Sequence, residues 1–95
     1  SITKISAKAD ELAGQGKDVT AIKTLISTAE GQLTVAQGYI TTAETAFTSM
    51  TISNPEGAKT LKLEGKSALL EARKNFSEAK KNLKSAVQAI KGLIK

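Results

Sequence analysis

The stretch Val19-Thr20-Ala21-Ile22-Lys23-Thr24-Leu25-Ile26-Ser27-Thr28-Ala29-Glu30-Gly31-Gln32-Leu33-Thr34-Val35-Ala36-Gln37-Gly38-Tyr39-Ile40-Thr41-Thr42-Ala43-Glu44-Thr45-Ala46-Phe47-Thr48-Ser49-Met50 decides the fold. Its apolar residues Val19, Ile22, Ile26, Ala29, Leu33, Ala36, Ile40, Ala43, Phe47 and Met50 follow one another at alternating steps of three and four. This spacing keeps one stripe of a helix facing a partner helix, the pattern of coiled-coil packing. At 1.5 Å per residue such a helix is roughly 48 Å long.

Two punctuation marks bound this helix. On its N-terminal side stands Gly14-Gln15-Gly16-Lys17-Asp18, where glycine suits a left-handed helix-closing residue and Asp18 an N-cap. On the other side stands Ser53-Asn54-Pro55-Glu56. Asn54 can cap the next helix while Pro55 occupies its first position, where a missing N–H costs nothing, and Glu56 complements the positive end.

Beyond Pro55 a matching seam runs through Ala58, Leu61, Gly65, Ala68, Ala72, Phe76, Ala79, Leu83, Ala86, Ile90 and Leu93. It holds two consecutive steps of four around Ala72 and Phe76, a stutter that locally unwinds a supercoil. Leu63, Leu69, Leu70, Val87 and Ile94 widen its apolar surface, as expected where a helix has more than one neighbour. Before the glycine turn, Ile2, Ile5, Ala9 and Leu12 repeat the same spacing over a segment too short to be stable alone.

The expected fold is therefore all-α, with helices at about 1–13, 18–52 and 55–94 in a single domain, residues 1–95. The long helices form an antiparallel hairpin. The short first helix folds back as the third member of a bundle at one end, against the start of the second helix and residues 73–88 of the third. Small seam residues (Ala29, Ala36, Ala43, Ala68, Ala72, Ala79) point to close helix approach.

Composition narrows the chemistry. The chain has no cysteine and no histidine, so thiol nucleophiles, thiolate metal sites and the usual neutral-pH acid–base group are absent. Gly14 and Gly16 follow no strand and precede no Gly-Lys-Ser/Thr, so they make no phosphate-binding loop. Glu64, Glu71 and Glu78 recur every seven residues, but with no converging acids they read as surface partners of Lys74 and Lys81. No catalytic, cofactor-binding or metal-binding residue is expected, and no small-molecule substrate. No apolar run approaches the ~20 residues of a membrane span.

Two surfaces remain. The second helix carries only Lys23, Glu30 and Glu44 as charges, while Thr20, Ser27, Thr34, Thr41 and Thr48 recur every seven residues beside Gly31 and Gly38. Threonine and glycine weaken a helix, so a hydroxyl-lined, uncharged face reads either as a surface drifted towards these residues or as one that lets another helix approach closely. From Pro55 onwards, ten lysines and arginines stand against four glutamates. Lys74, Lys80, Lys81, Lys84 and Lys91 make a candidate anion-binding face for nucleic acid, lipid or a cell-wall polymer.

The run from Ala7-Lys8-Ala9-Asp10-Glu11-Leu12 to Gly16-Lys17-Asp18-Val19, the stretch Leu25 to Glu30, and Glu71-Ala72-Arg73 to Ile90-Lys91 resemble small exported helical proteins of uncultured bacteria and archaea. Those proteins show a glycine turn, an alanine-rich helix, a short Asn-Pro turn and a lysine-rich helix. The resemblance implies an extracytoplasmic or secreted setting and a longer first helix upstream of Ser1, and it brings no residue roles. The second helix here is richer in threonine and glycine than that pattern. The functional expectation is a non-enzymatic, extracytoplasmic helical scaffold or interaction module. It would act through helix–helix association with itself or another protein. The alternative is a binder of anionic polymer or membrane surface through the lysine-rich helix.

Overall fold

A computed structural model of the chain describes residues 2–94; Ser1 and the basic Lys95 lie outside the described residues. The fold is all-α: α1 (Ile2–Gly14), α2 (Thr20–Met50) and α3 (Pro55–Ile94), with α2 and α3 as an antiparallel hairpin and α1 packed against both.

Each helix end has an identifiable cause. At the end of α1 the Gly16 N–H bonds the Ala13 carbonyl at 3.0 Å and the Lys17 N–H reaches the Leu12 carbonyl at 3.0 Å. Gly16 sits at φ 85°, so this is a Schellman closure with glycine at its left-handed position. The expected cap of α2 moves by one residue. Val19 offers the first helical carbonyl, to Lys23 N–H at 2.9 Å, while the Asp18 side chain accepts the Thr20 N–H at 3.0 Å. Asp18 stands just outside the helix yet still satisfies one of its orphan donors. The hydrogen bonds from Thr20 hold the Asp18 carboxyl below the usual carboxylate range.

The far end of α2 stops at Met50, two residues short of the expected 52. The N–H groups of Thr51, Ile52 and Ser53 reach back only three residues, tightening the last turn. Asn54 then starts α3 with both its oxygens: its side chain accepts from Gly57 N–H and its carbonyl from Ala58 N–H, each at 2.8 Å. Pro55 takes the first helical position, as the sequence predicts.

The described chain clusters into two compact units, Ser1–Gln32 with Ser77–Lys95, and Leu33–Phe76. The first is a three-helix bundle. Its buried core joins Ala9 and Leu12 of α1, Val19, Ile22 and Ile26, and Ala86 and Ile90 of α3, with Ile2, Ile5, Leu25, Ala89 and Leu93 packed around it. The α3 members of this core, Ala86, Ala89, Ile90 and Leu93, overlap the expected stretch 73–88 only at its end. The antiparallel register explains the shift. Gln32 bonds Glu78 at 3.2 Å and Asn82 at 2.8 Å, which places the beginning of α2, where α1 folds back, opposite residues about ten further along α3.

The second unit is a two-helix hairpin. Ala36, Ala43 and Ala46 face Ala68 and Ala72, all buried. Gly65 is buried beside Phe47, and a Cβ there would stand 2.5 Å from the Phe47 ring, so the ring's place depends on the missing side chain. In both units the wholly enclosed positions (Ala9, Ala29, Ala36, Ala79 and Ala86, at 0%) are alanines. A core of methyl groups brings helix backbones towards the near end of the usual 8–10 Å range. Leu63, Leu69, Leu70 and Ile94 stay exposed, and of the residues expected to widen the apolar surface of α3 only Val87 is half-buried.

Candidate interaction surfaces

Thr20, Ser27, Gly31, Thr34, Gly38, Thr41 and Thr48 are all exposed, as is every residue of the small stripe they belong to. With Thr24 and Thr45 included, the positions run 20, 24, 27, 31, 34, 38, 41, 45, 48 at strict steps of four and three. A second heptad seam therefore lies along α2, turned about 150° from the buried one at 100° per residue. The seam also reads nearly the same in both directions about Thr34. Thr20 mirrors Thr48, Ser27 mirrors Thr41, and Gly31 stands opposite Gly38.

Three of the seam's threonine hydroxyls turn back onto their own helix. Thr24 donates to the Thr20 carbonyl at 3.1 Å, Thr41 to Gln37 at 3.1 Å and Thr45 to Thr41 at 3.0 Å. Thr42, beside the seam, does the same to Gly38 at 3.1 Å. Such bonds slightly weaken a helix, and they leave methyl groups and spare oxygen lone pairs outward. A partner covering these three positions would strand no hydroxyl donor there, because each is already satisfied. At Gly31 and Gly38 an added Cβ would meet nothing within 4 Å. Nothing inside the chain requires glycine there.

Charge on α2 is sparse and partly committed. Lys23 Nζ lies 3.0 Å from Asp10 Oδ1 of α1, an exposed pair of little energetic weight. On α3, Lys74, Lys80, Lys81, Lys84 and Lys91 are all exposed. Lys74 belongs to the second unit and the other four to the first, so the five are not a single cluster. Within the first unit Lys80, Lys84 and Lys91 share one edge of the helix. Lys81 turns about 100° away, towards the side that carries Glu78. Glu78 itself receives a hydrogen bond from Gln32 instead of pairing with Lys81.

One surface was not anticipated. Lys66, Leu69, Leu70 and Arg73 line a shallow depression on the outer side of α3, within the second unit. In the sequence these leucines read as part of a wide packing face. The signal that separates them is the company of the two cations: no carboxylate lies three or four residues from Lys66 or Arg73.

Among the described residues no group of three or more acidic side chains gathers, and no helix is long and apolar enough to cross a membrane. Comparison with protein-family models, with curated proteins and with solved structures returned no match.

Proposed function

We propose that this chain is a non-enzymatic helical module, acting outside the cytoplasm, that works by helix–helix association through the outer face of α2. The carrying observation is the second heptad seam, exposed throughout and built from small residues, whose glycines 31 and 38 weaken the helix although a side chain there would meet nothing in the chain. Small residues at alternating three and four spacing let two helix backbones approach closely, and satisfied hydroxyls lower the desolvation cost of covering them. The near-symmetry about Thr34 supports a second copy as the partner, since a two-fold interface places each patch against its own likeness. In the antiparallel arrangement Thr34 meets Thr34, and Gly31 meets Gly38.

The absence of cysteine makes a direct test simple. A single Thr34→Cys substitution places a thiol at the centre of the seam, and Ser67→Cys places one on exposed α3. Oxidation at low micromolar concentration is expected to link Thr34→Cys into dimers while Ser67→Cys stays monomeric. Equal linking of both, or of neither, contradicts the reading.

A further inference from the structure

The outer side of α3 in the second unit holds the largest exposed leucines of the hairpin, Leu63 at 61% and Leu70 at 65%, with Leu69 at 45%. Lys62, Lys66 and Arg73 stand among them, all exposed. The helix neighbours of Lys66 at three and four residues are Leu63, Leu69, Leu70 and Lys62; those of Arg73 are Leu69, Leu70, Phe76 and Ser77. Neither cation makes an ion pair among the described residues, and the carboxylates Glu64 and Glu71 lie on the other flank of the leucine ridge. Two cations are thus held, uncompensated, between apolar side chains around one shallow, open depression.

We infer that this face, Lys62 to Arg73, docks on an anionic lipid surface. Charge and shape choose this occupant over the others. A nucleic acid or an acidic polysaccharide would use the cations and leave three leucines in water. A partner helix would want apolar residues at successive seam positions, yet here every other position of the row 63, 66, 70, 73 is a cation. A dry helix interface would have to bury those charges, which costs more than their attraction returns unless each is fully paired. A bilayer surface separates the two demands by depth. Leucines enter the acyl boundary while the lysine and arginine stems lie along it, with their charged ends among headgroup phosphates. Arginine at this position adds two-pronged binding to phosphate oxygens. This surface is distinct from the outer seam of α2 and does not depend on it.

Co-sedimentation of the whole chain with vesicles tests this. One vesicle is phosphatidylcholine alone; the other carries about a third phosphatidylglycerol, enough to give the negative surface potential that attracts basic segments. Binding to the anionic vesicles and not to the neutral ones is expected. Leu63→Asn with Leu70→Asn, and separately Lys66→Glu with Arg73→Glu, should each weaken it roughly tenfold or more. All four side chains are exposed, so helicity by circular dichroism should be unchanged in both variants. The control Lys80→Glu with Lys81→Glu and Lys84→Glu changes more charge elsewhere on α3 and should weaken binding less than the pair at 66 and 73. The inference is overturned by no binding to anionic vesicles. It is equally overturned by binding indifferent to the leucine replacements, which would mean attraction of any polyanion, or by a control that matches the 66/73 pair.

Discussion

Asn54 starts α3 with two oxygens, one from its side chain and one from its backbone, and each accepts a separate N–H at 2.8 Å. Asn54→Ala removes the first and leaves the Gly57 donor to water, so urea unfolding should show a loss of about 1 kcal/mol. Asn54→Asp should lose almost nothing, because a carboxylate caps as well and favours the positive helix end. Asp18 gives a pH-dependent counterpart at the other helix start. Its folded pKa is depressed by hydrogen bonds from Thr20. Its contribution is therefore present above the unfolded-state pKa and is lost as pH falls through the lower folded-state value. Melting curves of the wild type and Asp18→Ala should accordingly differ near neutrality and converge in strong acid. A gap that stays constant with pH would show that the hydrogen bond does not involve the charged form.

At the scale of the element, α2 carries two faces that obey different economies. Its inner face is a run of buried and half-buried apolar residues from Val19 to Ala46, and its outer face gives up helix propensity at Gly31 and Gly38, where a side chain would meet nothing. Gly31→Ala and Gly38→Ala should each stabilise the isolated chain by about 1 kcal/mol, because the new methyl meets nothing and alanine favours the helix. If the face associates, the same two changes should weaken association, since they hold the backbones apart. Opposite signs in the unfolding and association measurements are expected, and agreement in sign would contradict the role assigned to the glycines. The inner seam was legible from Val19 to Ala43, because burial on a helix recurs every three or four residues whatever the partner is; beyond it Ala46 is buried and Phe47 is exposed, so the expected seam fails at its far end. The Asn54-Pro55 start was legible for a different reason: its chemistry is local. The docking position of α1 was not, because it depends on the register between α2 and α3. The inward turn of three seam threonine hydroxyls is a choice of rotamer, which spacing does not specify. The leucine and cation patch of α3 escaped because an exposed leucine and a buried one look alike in sequence until a neighbour is placed.

For the whole molecule, an alanine-lined core and a capped hairpin use the chain's apolar residues to build helices. The residues left over give the outside its character: hydroxyl and glycine on α2, leucine and uncompensated cation on α3. The central claim is that the first of these is an association surface. Its driving force is close packing with few charges, so it should resist salt, whereas contacts made by exposed lysines are screened within about 10 Å at 0.1 M salt. The most direct measurement is sedimentation equilibrium over a wide concentration range, at low and high salt, on the wild type, Thr34→Lys and Gly38→Lys. The account predicts a wild type that associates with rising concentration in both salts and two variants that remain monomeric. A wild type that is monomeric throughout, or variants that associate as the wild type does, would contradict it.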